Sequence, residues 1–113
     1  MIIYYNIAIE EQWKIIDGYE NYKVSNKGRV RNIKTKNILE GCVNSCGYVK
    51  IGLTKDKKLK QHQLHRLVAR AFVENPDNKD YVRHRDDNNI NNDASNLYWM
   101  SHLEFRGLSW GIK

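Results

Sequence analysis

The stretch that decides the fold reads YVRHRDDNNINNDASNLYWMSHLEF and covers residues 81–105. Residues 81–85 and 97–100 are rich in aromatic and apolar side chains, so we expect two short strands there. The Asn- and Asp-rich residues between them favour a loop, because such side chains compete with regular backbone hydrogen bonds. Ser101 is a good helix N-cap, and a short helix over 102–108 would follow. The stretch therefore predicts a strand, a polar loop, a strand and a helix.

A helix is predicted just before this stretch. Its apolar residues recur at spacings of three and four, which places them on one face: Leu64, Leu67, Val68, Ala71 and Phe72. Arg66 and Arg70 lie on the opposite side, and Asn75-Pro76 ends the helix. The helix, taken as roughly residues 62–73, would bridge two parts of the chain.

Residues 12–60 favour β-hairpins, whereas residues 1–10 give only a weak strand signal. Tyr22 and Val24 lie on one side of Asn26-Lys27-Gly28 and Val30 on the other, and we expect Asn26 and Gly28 to supply the positive φ of a tight turn. Alternation then places Lys23, Arg29 and Arg31 opposite the core valines. A second set of strands is expected at Ile38-Leu39, at residues 48–53 and from Leu59 onward, with Lys55–Lys58 as its turn.

The net charge of +6 is unevenly distributed along the 113 residues. Residues 12–70 carry fourteen Lys and Arg against four acidic residues, whereas residues 74–96 carry six acidic against three basic ones. The basic part would attract phosphate. A solvated lysine surface explains the charge equally well, so the positions of the cations in the fold must distinguish it from nucleic-acid binding.

Composition and sequence pattern argue against a membrane-spanning or secreted protein. The chain is long enough for one domain or two small lobes, and it has no apolar run that could span a membrane. Its first residues lack the features of a signal peptide, so we expect an intracellular protein (host cytoplasm or nucleus if viral) that is not secreted. Cys42 and Cys46 have no second pair and are interpreted as reduced thiols rather than a metal site.

His84, at the end of the first strand, has the residue type for a general base that deprotonates water for attack on a phosphate. Such a base needs a hydrogen-bonded partner to fix its ring, and Asn96, across the loop, is predicted to supply it. A divalent metal beside it would neutralise charge on the leaving oxygen.

Two resemblances cover roughly residues 12–105. The pattern from His65-Arg66-Leu67-Val68-Ala69 through His84, Asn96-Leu97 and Trp99 to Glu104 closely resembles the HNH homing endonucleases of phages, introns and giant viruses. The upstream pattern, from Trp13-Lys14 through Gly18-Tyr19-Glu20 to Val24-Ser25-Asn26 and Gly28-Arg29-Val30, is similar to DNA-binding motifs of the NUMOD class. The resemblance implies a ββα-metal lobe, double-stranded DNA as partner and Mg²⁺ or another divalent metal as the cofactor of an active nuclease.

The chain departs from the family at the metal ligands. Arg83 stands where the family carries Asp or Asn, Phe105 stands where it carries Asn, and Asp87 replaces the usual Gly. His102 or Asp86 could take over a ligand role, or Arg83 could itself neutralise phosphate, but a surface role for His102 and a loop-capping role for Asp86 are simpler. We therefore assign no metal ligand and expect cleavage to be impaired or absent.

These observations predict an α+β fold with a β-hairpin lobe over residues 1–60, and a bridging helix plus HNH-like lobe over residues 61–113. The leading hypothesis is a DNA-binding protein derived from an HNH endonuclease, with His84 and Asn96 as its remaining catalytic residues. The expected DNA contacts are basic side chains: Lys23, Lys27, Arg29, Arg31, Lys34, Lys36, Arg66 and Arg70. Two alternatives stay open, an active metal-dependent endonuclease and a structural protein that uses the fold to bind protein partners in an assembly.

Overall fold

The computed structural model describes residues 11–104. The weak strand signal over residues 1–10, the part of the predicted 102–108 helix after residue 104, and Phe105 lie outside the described residues. The described part of that helix, residues 102–104, is helical as predicted. Within residues 11–104, nine strands and helix α1 follow in order: β1 Trp13–Ile16, β2 Tyr19–Ser25, β3 Val30–Asn32, β4 Ile38–Leu39, β5 Cys42–Val43, β6 Val49–Lys55, β7 Lys58–Gln63, α1 Leu64–Phe72, β8 Tyr81–His84 and β9 Leu97–Met100. A 3₁₀ turn at Ala94–Asn96 precedes β9. The predicted α+β class is confirmed.

Strands β1 to β4 form an antiparallel sheet in chain order. Val24 pairs with Val30 and Lys23 with Arg31, so alternation buries the valines and directs the cations to the other face, as predicted. Only Gly28 of the three turn residues has a positive φ, of 86°. The expectation of a second positive φ at Asn26 is therefore wrong.

Strands β5, β6 and β7 form a second antiparallel sheet. The predicted Lys55–Lys58 turn is confirmed, with Asp56 and Lys57 both at positive φ. Ile38-Leu39 was expected with this set of strands, but it pairs with β3 and closes the first sheet. A two-residue strand carries too little periodicity to reveal its partner.

Helix α1 packs against both larger sheets and against the two-stranded sheet formed by β8 and β9. Leu64, Leu67 and Val68 of the predicted apolar face are each at most 6% exposed, whereas Ala71 and Phe72 are half-buried. Ala69, outside the predicted face, is also buried. The same apolar cluster includes Val24 and Val30 from the first sheet, Ile51 and Leu53 from the second, and Val82 and Leu97 from the third. The core thus continues across residue 60, and the division into lobes at that point stays a prediction.

Among residues 11–104, no helix has the length and apolar character needed to cross a membrane.

Candidate functional site

His84 ends β8 and is only 4% exposed. Its Nε2 lies 2.8 Å from Oδ1 of Asn92 in the loop between β8 and β9. Because an amide oxygen can only accept a hydrogen bond, Nε2 must carry the proton. In the neutral ring Nδ1 is then the nitrogen with a free lone pair, and it is the atom that could accept a proton from water.

The structure corrects the role predicted for Asn96. Its Nδ2 donates to Oδ1 of Asp86 at 2.9 Å and to the carbonyl of Asn91 at 2.8 Å, and its Oδ1 accepts from the Asp86 amide at 3.2 Å. Asn96 thus closes the base of the loop, while Asn92 holds the His84 ring. In a loop with so many Asn residues, the sequence contained no signal to choose between them.

Asp86 is the centre of this loop. Its carboxylate accepts hydrogen bonds from the Asn91 side chain at 2.8 Å, from the Asn88 amide at 2.8 Å and from the Asn96 side chain. These hydrogen bonds, the one from Asn91 first, lower the pKa of Asp86 to about 2. The carboxylate therefore serves the loop-capping role considered above. The next residue, Asp87, adopts a φ of 59°, the left-handed conformation that Gly adopts without strain.

Arg83 and His84 project from opposite faces of the two-stranded sheet, since neighbouring strand residues alternate. The Arg83 guanidinium lies 3.4 Å from the Asp87 carboxylate. On the same face, Arg85 lies over the ring of Tyr98, at 5.1 Å from its centroid. Positive charge thus accumulates where the family resemblance implies a carboxylate or amide ligand.

The proposed replacement ligand His102 does not converge on His84. Its Nδ1 lies 3.0 Å from the hydroxyl of Tyr81, at the opposite end of β8 from His84. Both oxygens of Asp86 are engaged by loop donors. Within residues 11–104, no three His, Cys, Asp or Glu side chains are grouped to hold a metal ion. The described residues therefore do not fit a divalent metal beside His84.

A cluster of three rings includes His84. His65 lies 5.1 Å from His84 and 5.0 Å from Tyr48, measured between ring centroids. His65 is 4% exposed, and burial, followed by the proximity of His84, lowers its pKa to about 4. This burial indicates that His65 has a packing role. Tyr48 was not predicted to lie here, since its contact depends on the second sheet packing against the helix.

The clearest basic surface surrounds Trp13 on the face of the first sheet away from the core. Three cations lie within 6 Å of its ring centroid: Lys23 at 5.6 Å, Arg29 at 5.6 Å and Arg31 at 4.6 Å. We call these four residues the Trp13 face. Three of them were expected to contact DNA, but their assembly around an indole was not predicted.

Glu11, which also attracts Arg31, compensates the charge of Arg29. The Arg29 guanidinium forms a two-bond ion pair with Glu11, with Nε donating to Oε2 at 2.8 Å. The hydrogen bond from Arg29 is the main reason why the pKa of Glu11 falls to about 2. Glu11 is therefore ionised at neutral pH and competes for Arg29 with any other anion.

The remaining predicted DNA contacts do not share one environment. Lys34 and Lys36 are exposed in the turn between β3 and β4, and Arg70 is exposed on α1. Lys27 is partly exposed and lies 3.5 Å from Asp93. Arg66 is half-buried, donates to the Asp80 carbonyl at 2.8 Å and lies over Trp99 at 5.9 Å. It thus links α1 to the C-terminal part of the chain.

Comparisons with known proteins find both similar sequences and a similar fold. The NUMOD4 motif matches residues 11–54. The DNA endonuclease I-HmuI of Bacillus phage SP01 is 44% identical over 91 residues, which cover 80% of this chain and 52% of that protein. The uncharacterized HNH endonuclease L245 of Acanthamoeba polyphaga mimivirus is 40% identical over 80% of this chain and 27% of that protein.

A solved structure described as DNA binding and cleavage by the HNH homing endonuclease I-HmuI has a similar fold. It superimposes with a TM-score of 0.79 at 40% sequence identity, over 90% of this chain and 60% of that one. The chain thus spans between about a quarter and half of the length of these curated relatives. Sequence and fold together show that the chain is similar to HNH homing endonucleases over most of its length.

Proposed function

We propose that the chain binds double-stranded DNA through the Trp13 face and cleaves it poorly or not at all. The observation that carries the first part is the cross-strand pair of Lys23 and Arg31. Like charges directly opposite each other destabilise a sheet when no anion lies between them. A DNA phosphate would offset this repulsion and be held by both cations.

The surroundings of Arg31 also support a phosphate ligand. Exposed Lys34 and Lys36 follow in the turn that continues β3. A duplex lying along β3 could therefore meet cations at more than one phosphate, and binding should weaken steeply with salt.

I-HmuI is named a DNA endonuclease, and its solved structure is described as one of DNA binding and cleavage. Such a relative supports DNA as the ligand of this chain. The second part of the proposal rests on the ligand positions. Arg83 replaces a family ligand and is paired with Asp87, and Phe105 lacks a metal-binding atom. A hydrolase that depends on a metal should lose most of its activity when those ligands are absent.

Fluorescence anisotropy with a labelled duplex tests the binding proposal. The double variant Arg29→Ala/Arg31→Ala should weaken binding to any duplex, because phosphate contacts are independent of sequence. The control Lys57→Ala/Lys58→Ala removes two positive charges from the turn between β6 and β7. Equal affinity of the wild type and the Arg29/Arg31 variant would refute the assignment, and equal losses in both variants would point to diffuse attraction by net charge.

A second candidate function, an active HNH endonuclease, is favoured by one observation. The hydrogen bond to Asn92 fixes the His84 tautomer so that Nδ1 is available as a base. A plasmid-nicking assay with Mg²⁺ or Mn²⁺ distinguishes the two candidates. Nicking that requires the metal and is lost in His84→Ala would establish the endonuclease, whereas our proposal expects no nicking above the His84→Ala background.

A further inference from the structure

The turn of the β2–β3 hairpin lies directly against the loop that carries Asn92. A Cβ added to Gly28 would lie 2.8 Å from the backbone oxygen of Asn92 and 3.0 Å from its carbonyl carbon. Both contacts involve backbone atoms, so neither can be relieved by a side-chain rotation. The absence of a side chain at Gly28 therefore allows the turn and the loop to approach this closely.

Two more contacts join the same segments. The Ala94 amide donates to the Asn26 carbonyl at 2.8 Å, and Lys27 lies 3.5 Å from Asp93. Every residue of the turn from Asn26 to Gly28 thus contacts a residue between Asn92 and Ala94. The backbone hydrogen bond and the close approach at Gly28 therefore hold the two segments together.

Asn92 connects this turn to His84. It is 5% exposed, and its Oδ1 accepts the hydrogen bond from His84 Nε2. A shift of the Asn92 backbone by a few tenths of an ångström would lengthen or misalign that bond, because hydrogen bonds weaken steeply with distorted geometry. Without an acceptor at Nε2, the two neutral tautomers of a histidine ring are closer in energy.

We infer that the hairpin turn Asn26–Gly28 is a positioning element for His84: by fixing Asn92, it holds the ring in the form with the proton on Nε2 and Nδ1 free. Gly28 acts through Asn92 and is a positioning residue, not a catalytic one. The consequence for function rests on the proposed DNA contact of this hairpin. If the hairpin binds a duplex, the turn and Asn92 connect that duplex to His84. The connection itself exists without DNA or cleavage.

The experiment reads the His84 ring directly by ¹⁵N NMR, with its signals assigned from a His84→Gln spectrum. Gly28→Ala should convert the single Nε2–H form into a mixture of tautomers. Gly18→Ala is the matched control, because Gly18 has a similar φ of 83° but nothing within 4 Å of an added Cβ. Both variants incur the same backbone strain, and only one moves Asn92. A wild-type His84 spectrum in folded Gly28→Ala would overturn the inference.

If Gly28→Ala does not fold, a second variant tests whether the turn positions His84. Ala94→Pro removes the amide that donates to Asn26, at the first position of a 3₁₀ turn where Pro is tolerated. The preceding Asp93 already has the extended conformation that Pro requires of its neighbour, with φ −64° and ψ 137°. We expect the same mixture of His84 tautomers, and an unchanged tautomer would contradict the inference.

Asn92 variants test the last step independently. Asn92→Ala should also yield mixed tautomers, whereas Asn92→Asp retains an oxygen acceptor and should restore the Nε2–H form. If Asn92→Ala leaves His84 unchanged, Asn92 does not orient the ring and the inference fails. None of these measurements uses DNA, so a failure of the proposed DNA contact would leave the His84 spectra as predicted.

Discussion

Lys23 on β2 lies directly opposite Arg31 on β3, and both cations face the ring of Trp13. The indole offers each cation a favourable interaction at its π face, which partly offsets their mutual repulsion. Two opposite charges at this cross-strand pair would stabilise the hairpin more than two positive charges do. The arrangement therefore links the stability of the hairpin to its proposed ligand.

Lys23→Glu should raise stability and lower DNA affinity together. An opposite-charge pair with Arg31 should stabilise the sheet by up to about 1 kcal/mol. Loss of one phosphate contact and gain of a negative charge should weaken duplex binding about tenfold at low salt. Urea denaturation and anisotropy measure the two effects.

The control for this variant is Lys58→Glu, because Lys58 also lies directly opposite a lysine, Lys55, in the β6–β7 hairpin. It should gain similar stability with a much smaller change in DNA affinity. If Lys23→Glu binds DNA as tightly as the wild type, this pair does not contact phosphate.

Glu11→Gln should tighten DNA binding severalfold. At neutral pH Glu11 is an anion paired with Arg29, and its removal releases the guanidinium for phosphate. Asp17→Asn removes the same amount of negative charge from the other end of β1 and serves as control. A gain in affinity of the same size in both variants would show that only net charge matters.

Stability should decrease between about pH 7.5 and pH 5 because of His65. Its pKa is about 4 in the folded chain against an ordinary value of 6.5, so below pH 6.5 the unfolded chain binds a proton that the folded chain does not. The free energy of unfolding should therefore fall with pH, by about 2 kcal/mol over this range. Urea denaturation at both pH values measures the loss.

His65→Phe should remove most of this pH dependence, since Phe keeps a ring against Tyr48 and cannot titrate. The exposed His102 provides the control, as His102→Gln should leave the slope unchanged. An unaltered slope in His65→Phe would show that another group causes the decrease.

Restoring the family's ligand types should restore cleavage if their loss explains the proposed impairment. The double variant Arg83→Asp/Phe105→Asn should nick plasmid DNA in the presence of Mg²⁺ or Mn²⁺, and adding His84→Ala should abolish the nicking. Plasmid nicking is measured with and without a chelator. Nicking by the wild type at the rate of the double variant would contradict the proposed impairment.

Local periodicity predicted most of the strands and the helix, because alternation and helical spacing are properties of neighbouring residues. Val24 and Val30 were correctly predicted to face the core for this reason. The partner of the Ile38–Leu39 strand was not predictable, since two residues carry little pattern.

The position of His84 at a strand end was also predicted, but its partner was not. Asn92 and Asn96 are chemically identical and both lie in the loop, and only the closure of that loop around Asp86 determines which one reaches the ring. The hydrogen bond from Arg66 to the Asp80 carbonyl was likewise not predicted, because it joins residues from different parts of the chain. Long-range contacts of this kind have no signature in a single sequence.

The most direct test of the central claim is the salt dependence of duplex binding. We expect the slope of log Kobs against log salt concentration to decrease in magnitude by about 2 in Lys23→Gln/Arg31→Gln, because each lost phosphate contact removes about one counterion. The control Lys55→Gln/Lys58→Gln should keep the wild-type slope. A wild-type slope in the Lys23/Arg31 variant would show that the Trp13 face does not bind the DNA backbone.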